Sequence, residues 1–505
     1  MLPTYVVRMP DRHPEHATGV EELPSGVALY PPSTASLRLS SRSSSSLQRL
    51  FGRRGITSLT VDVLASAAPQ QQQRQHAGPE GAKRSSRGQD AGTGEAEAQP
   101  SRWATWEFRF YYLVFVVMVP LMVWVPVRLS QTSNPNYLRY SGHLKPGWLF
   151  GRLRDDADFQ YRSFRDYVPA LAAIMGLYLV LSKAASLLPG LSGTVCRPLN
   201  SPGLADPRSE PRRNRRAFLC IFTAIFILVL HGANAVKLLG VMLCNFLLAR
   251  ALAGRKWVAP AVIWSFNIGV LAAVHWNNGF QWHTIGNAGQ LAWLDKYNGL
   301  LPRWQINFNI TMLRLLSFGL DFHWARLPSQ PFSGQGPPQE SEGVTENRSR
   351  SAQSRPLHEY SLDNYLIYAL YPPLFIAGPI ISFNDFMSQL YSPPKIPTAN
   401  VLRYALRFLF CLLTMEFILH FMYVNAIKDS KAWQGETPLE LSMVGFWNLI
   451  IVWLKLLIPW RFFRLWSISD GVDPPENMVR CMANNYSTLG FWRSWHRSYN
   501  LWIVR

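Results

Sequence analysis

The sequence predicts an all-α fold, a polytopic transmembrane helical bundle with interfacial and broken helices. Three observations predict it. Apolar runs about as long as a ~30 Å hydrocarbon core requires recur along the chain. Trp, Tyr and Arg stand at their ends, as they do at membrane interfaces. Gly- and Pro-rich stretches interrupt others, which membrane depth tolerates only where protein or a watery cavity satisfies the freed backbone groups. The mean hydropathy near zero averages over a polar leader and this apolar body.

The first run, FRFYYLVFVVMVPLMVWVPV at 108–127, carries no charge between Arg109 and Arg128. Comparable runs lie at 167–188, 217–230, 257–274, 365–381, 401–424 and 439–459. Residues 235–252 form a weaker candidate, because Lys237 and Arg250 leave one face polar. Two segments read differently. PRWQINFNITMLRLLSFGLDFHW at 302–324 has helix length but carries Arg303, Asn307, Asn309, Arg314 and Asp321. Its stripe of Ile310, Leu313, Ser317 and Leu320 predicts an amphipathic helix, lying in the interface or packed inside the bundle. YPPLFIAGPIISFNDF at 371–386 is broken by Pro372, Pro373, Gly378 and Pro379, as expected of a segment lining a chamber.

Two polar regions bracket the body. Residues 1–102 form a low-complexity leader whose Ser-, Gln- and Gly-rich stretches bury too little apolar area to offset chain entropy, so disorder is expected. Its Arg- and Ser-rich part, LRLSSRSSSSLQRLFGRRG, is similar to a mitochondrial transit peptide, a reading that Asp11, Glu15, Glu21 and Glu22 oppose. The N-terminus has no apolar secretory core, so the first span is expected to act as the uncleaved targeting signal. The membrane domain then runs over 103–505, with a second disordered loop at 329–356 that contains the sequon Asn347-Arg348-Ser349.

The net charge of +19 suits anionic lipid surfaces and the positive-inside bias better than nucleic acid, since the basic residues cluster in the leader and between apolar runs, as in PRRNRR. Zinc-finger and RNA-recognition signatures are absent. The five cysteines show no CxxC spacing, so neither a zinc site nor a disulfide framework is indicated. Cys220, Cys244 and Cys411, inside apolar runs, read as small buried hydrophobes.

Chemistry concentrates in FWRSWHRSYNLWIVR at 491–505. As a helix it would place Trp492, Trp495 and Tyr499 on one side, pair Arg493 with Arg497 at i,i+4, and set His496 one turn before Asn500. His496 could serve as a base, as a donor to a carbonyl or as a packed interfacial residue. Arg493, Arg497 and Arg505 could grip the phosphates of an acyl carrier or face lipid headgroups. Elsewhere, His420 and Glu416 form an i,i+4 pair read first as structural, His231 and His275 lie in or beside apolar runs, and His283 and His323 look interfacial.

The closing segment resembles the central motif of the membrane-bound O-acyltransferases, the MBOAT superfamily, in which a Trp-Arg-x-Trp-His or Trp-Arg-x-Trp-Asn cluster introduces one of two active-site polar residues. The resemblance is strongest to the fungal glycerol-uptake-protein branch. It extends through WEFRFYYLVFVVMVPLMVW, NPNYLRY, GWLFGR, YRSFRDY, YPPLFIAGPIISFNDF, MEFILHF, WLKLLIPWRFFRLW and GVDPPENMVRCMANNYSTLGFWRSWHRSYN, in order from Trp103 onward.

It implies an MBOAT-like core and a reaction: a hydroxyl attacks an acyl-CoA thioester inside a buried chamber, without metal or other cofactor. It assigns an orienting or polarising role to His496, with Trp492, Arg493, Trp495, Arg497 and Asn500 binding substrate. For this branch it implies a lipid acceptor, the lyso form of a GPI anchor during remodelling, in the endoplasmic reticulum membrane, with the plasma membrane as a second station. Glycerol transport by proton or cation symport and a non-catalytic scaffold are the rival functions. In the family the motif continues into a Tyr-Ile-Pro-Leu-Gly-Gly-like turn and a helix bearing the general-base His. The sequence stops at Arg505 before either, so this polypeptide, read as C-terminally truncated, is expected to transfer no acyl group by itself.

Overall fold

The computed structural model describes residues 102–187, 210–285, 290–327, 347–485 and 487–505. All but the last residue of the expected leader, and residues 329–346 of the expected loop, lie outside them. Among the described residues regular structure is helical, apart from one antiparallel hairpin that pairs Leu144–Pro146 with Leu153–Asp155. Contacts divide the chain at Pro120. On the N-terminal side Trp103 packs on Phe108 and Tyr112, and Phe110, Leu113, Phe115 and Val116 are exposed, a surface suited to lipid. The unit from Leu121 to Arg505 holds the features described below.

Five helices among the described residues are long and apolar enough to cross a membrane: Trp106–Leu129, Phe159–Leu187, Arg213–Leu252, Val258–Trp276 and Pro438–Ser469. The weak candidate at 235–252 is therefore the second half of a longer stretch, in which Glu210–His231 and Ala235–Leu252 join through a turn at Gly232–Asn234. Gly232 has φ +54°, and a Cβ there would collide with the Tyr297 carbonyl oxygen, which instead accepts the Ala233 N–H at 2.7 Å. Only glycine fits so close a backbone approach.

Pro438–Ser469 shows how local sequence sets an element. Thr437 and Glu440 form a capping box at its start, with Pro438 in the first turn. At its end, Gly471 at φ +88° closes a Schellman turn, in which Val472 N–H bonds Ser467 C=O and Gly471 N–H bonds Ile468 C=O. Its 32 residues span about 48 Å at 1.5 Å each, more than a hydrocarbon core. The last turns, with Arg461 and Arg464, are accordingly buried in protein.

Two expected spans fail. Residues 365–381 are not one helix: Leu362–Ala369 and Pro372–Phe375 are short pieces, followed by irregular chain to Ser382, because Pro372 and Pro373 suit a helix start and not its interior. Gly378 folds back so closely that a Cβ would overlap Leu374 Cα. Residues 401–424 do form a helix, Thr398–Phe421, but it carries Arg403, Arg407 and Glu416 and is not among the five. Its Glu416 carboxylate accepts from Trp148 Nε1 at 3.1 Å and Tyr161 Oη at 2.9 Å. The expected Glu416–His420 side-chain pair is absent; His420 Nδ1 donates instead to the Glu416 carbonyl at 2.6 Å.

The helix Trp304–Arg326 is packed inside the bundle and buried around most of its circumference, polar residues included. Arg314, Ser317 and Asp321 are buried, whereas Ile310, Leu313 and Leu320 of the expected apolar stripe are only half-buried. The reason is the broken segment beside it, whose freed backbone groups need partners. Arg314 donates to the carbonyls of Ala369, at 2.9 Å, and Leu374. Ser317 Oγ accepts from Phe383 N and Asp321 from Asn384 N, at 3.3 and 3.1 Å. His323, expected at the interface, is buried, its Nδ1 accepting the Gly254 N–H at 3.1 Å. Cys411 is buried but is not a plain hydrophobe, since Arg461 Nη1 donates to its Sγ at 2.9 Å.

The end of the expected disordered loop is ordered. Residues Asn347–Ala352 form a short helix held on the buried carboxylate of Asp385, which accepts from Asn347 Nδ2 and from Arg350 Nε, the latter at 2.5 Å. Composition alone hid this, because the stabilising partner lies far along the chain. Asp385→Ala is expected to release the segment and to speed limited tryptic cleavage after Arg348 and Arg350 by about tenfold or more; unchanged cleavage would contradict the docking.

Candidate active site

The closing segment is two short helices and not one. Thr488–Ser494 ends at Trp495, His496 adopts a left-handed conformation (φ 47°, ψ 49°), and Arg497–Ile503 follows. A left-handed non-glycine residue costs on the order of 1–3 kcal/mol and persists only where its surroundings fix it. Two tertiary bonds do so here. Arg497 N–H donates to the Asn477 carbonyl at 2.9 Å, and Ser498 Oγ accepts from Ile380 N in the broken segment at 2.9 Å. Sequence periodicity carries no trace of either.

The break separates the predicted cluster. Trp492 is exposed, Trp495 is half-buried against Phe491, and Tyr499 lies on the other helix. Arg493 and Arg497 do not form an i,i+4 pair, because they sit on opposite sides of the turn; Arg497 is buried and Arg493 partly so. Asn500 is half-buried, its backbone N–H bonded to the His496 carbonyl at 3.2 Å.

The His496 ring lies between two aromatic faces. It stacks on Trp460 with centroids 4.7 Å apart and planes at 12°, and on Tyr499 at 5.6 Å and 21°. Among the described residues no group hydrogen-bonds either ring nitrogen. Burial pushes its pKa down to about 4, so near pH 7 the ring is neutral and offers one N–H donor and one lone pair. The Trp460 contact escaped sequence reading, although WLKLLIPW was singled out as a motif.

This pKa has a consequence for folding. The native state holds His496 neutral, whereas an unfolded chain takes up its proton below about 6.5. Stability is therefore expected to fall as pH drops from about 6.5 towards about 4. Melting curves across that range should show a weaker slope for His496→Gln than for the native protein; identical slopes would refute the assignment.

The loop leading to His496 is fixed by charge. Arg464 bonds Asp473 at 2.7 Å, the Pro474 carbonyl at 2.8 Å and Glu476 at 3.3 Å. Tyr404 Oη donates to Glu476 at 3.1 Å, and Arg461 lies 3.6 Å from it. Gln389 bonds both the N–H and the carbonyl of Asp473. A separate cavity of about 160 Å³ is lined by Trp264, Ser317, Leu320, Asp321, Trp324, Trp502, Ile503 and Arg505. His496 does not line it, and Arg505 pairs there with Asp321 at 2.6 Å, so Arg505 grips a carboxylate in the fold.

Comparison with known proteins places this geometry in a family. The model of the MBOAT, membrane-bound O-acyltransferase family, matches residues 259–505. The membrane-bound O-acyltransferase GUP1 of Saccharomyces cerevisiae is 43% identical over 413 residues, covering 81% of this chain and 69% of that protein. The chain belongs to the membrane-bound O-acyltransferase family. GUP1 of Candida tropicalis is 41% identical over 419 residues, 81% of this chain and 66% of its own length; the chain thus spans about two thirds of such relatives. A more distant likeness, 28% over 174 residues, is to the protein-cysteine N-palmitoyltransferase HHAT of Mus musculus, covering 31% of this chain and 32% of that protein.

Within this O-acyltransferase family the His496 turn stands where the Trp-Arg-x-Trp-His motif was recognised. Its neutral imidazole is stacked on two aromatic rings, and among the described residues neither ring nitrogen has a hydrogen-bond partner. Family membership makes the protein an acyltransferase and a multi-pass membrane protein.

Proposed function

We propose that the protein moves a fatty acyl group from acyl-CoA to a hydroxyl of a lipid acceptor, the lyso form of a GPI anchor, in the endoplasmic reticulum membrane. The observation that carries this reading is the neutral His496, stacked on Trp460 and Tyr499 with no partner among the described residues on its ring nitrogens. A neutral imidazole N–H aimed at a thioester carbonyl stabilises the negative charge that develops on its oxygen. The acceptor oxygen then bonds the carbonyl carbon, the C–S bond breaks, and the hydroxyl proton passes by way of a base to the departing CoA thiolate. The resemblance assigns that base to a His other than His496. A ring that titrates near 4 is a poor base at neutral pH, so the polarising role suits His496 better.

Thioesters are already activated, and the proposed step uses no metal or other cofactor. Transfer is expected to be unaffected by a chelator; loss of activity in EDTA, restored by a divalent cation, would contradict it. Deleting the gene tests the acceptor. Accumulated lyso-form anchors support the proposal, whereas normal anchors with lost glycerol accumulation would favour glycerol transport. Acyl transfer that survives undiminished in His496→Ala would contradict the role of His496.

A further inference from the structure

Asn477 is the carboxamide among the described residues whose oxygen and nitrogen are both buried without a partner. The residue is 1% exposed. Three other buried carboxamides with one unpaired atom keep a bond at the other end: Asn267 Nδ2 donates to the Ile263 carbonyl, Asn245 Oδ1 accepts from Tyr365, and Asn364 Nδ2 donates to the Glu359 carbonyl. Native proteins seldom leave such groups unpaired unless a ligand, ion or water completes them.

The backbone around Asn477 is anything but loose. Asp473, Pro474 and Glu476 are fastened to Arg464, Gln389 and Tyr404, and the Asn477 carbonyl accepts the N–H of Arg497 at 2.9 Å. The residue is thus carried on a fastened loop, its backbone one hydrogen bond from the residue after His496, while its side chain has no hydrogen-bond partner among the described residues.

We infer that Asn477 contacts the acceptor alcohol, its Oδ1 accepting the hydroxyl proton's hydrogen bond and its Nδ2 donating to a neighbouring oxygen of the same headgroup. The inference rests on the acyl-transfer reading and adds a residue to it. Counting donors and acceptors selects the alcohol over the thioester. A carbonyl only accepts, so it would leave Oδ1 unpaired, whereas an alcohol beside an ester or phosphodiester oxygen satisfies both ends. His496 and Asn477 then divide the reactants, one on the acyl carbonyl and one on the attacking hydroxyl.

The test measures discrimination in binding. The purified 505-residue chain is titrated in detergent with 1-palmitoyl-lysophosphatidylinositol and with its deoxy analogue, in which hydrogen replaces the free glycerol hydroxyl. The native chain is expected to bind the hydroxyl form about tenfold more tightly. Asn477→Leu is expected to bind both equally, at an unchanged or raised melting temperature, because an apolar side chain of similar size removes two unpaired buried atoms. A Leu variant that keeps the full preference overturns the inference and leaves acyl transfer standing; so does a native chain that binds both lipids equally. Binding of a palmitoyl-CoA thioether analogue, measured alongside, reports on acyl transfer separately, and its absence would count against that reading. Should the Leu variant aggregate, Asn477→Ala decides by the same comparison.

Discussion

Arg314→Met is expected to destabilise the bundle by about 2–4 kcal/mol, one of the largest effects of any single substitution in the described structure. The guanidinium is fully buried and has no carboxylate partner; it bonds the carbonyls that end two short helices, Ala369 and Leu374. Hydrogen bonds from a charged donor contribute about 1.5–3 kcal/mol each, and a carbonyl left unpaired in the interior adds a penalty of about 1–3 kcal/mol. Methionine relieves the desolvation of a buried cation, which offsets part of that loss. Leu374 keeps the Gly378 N–H at 3.1 Å, so the loss of two bonds and of the Arg314 donor to the Ala369 carbonyl stands against one desolvated charge, which leaves the balance destabilising. Arg314→Lys should fall between the two, because a single ammonium cannot reproduce the two-pronged fork. Heating in detergent followed by size-exclusion chromatography reads the result: a Met variant as heat-resistant as the native protein would mean that burial of the charge outweighs its two bonds.

His496→Ala is expected to lower acyl transfer by about 10²- to 10³-fold, the loss typical when one preorganised donor to a developing oxyanion is removed. His496→Asn keeps a neutral N–H donor and should recover part of that loss, in line with the Asn found at this place in the resembling motif. His496→Gly separates chemistry from folding. Glycine relaxes the left-handed backbone while it forfeits the stacking on Trp460, worth about 0.5–1.5 kcal/mol, so it should fold nearly as well as the native chain and transfer poorly. These variants belong in microsomes from cells expressing the gene, with labelled acyl-CoA. Because the ring stays neutral down to about 4, its own titration should produce no acid limb near pH 6.5. An Ala variant as active as the native protein would remove His496 from the mechanism.

The apolar runs at 108–127, 167–188, 257–274 and 439–459 were legible because hydropathy is summed locally, and each overlaps a helix able to span nearly end to end. The family motif was legible for the same reason, as fifteen contiguous residues hold it. Where the reading failed, the deciding partner lay far away in the chain. Composition marked 347–356 as disordered, yet Asp385 organises its first turns. Periodicity left Trp304–Arg326 either interfacial or packed inside the bundle, since it scores Arg314 and Asp321 as polar and has no knowledge of the broken segment whose backbone they bond.

By itself, then, the sequence determined that the protein is a helical membrane protein of the O-acyltransferase family, and it marked His496 as a candidate site residue. The tertiary structure alone decided that His496 sits in a left-handed turn, that Trp460 stacks on it, and that the Asn477 backbone bonds the next residue while its carboxamide has no partner among the described residues. Helix propensity and hydropathy act over a few neighbouring residues, whereas those three features arise from bonds and contacts between segments distant in the chain, which no local pattern encodes.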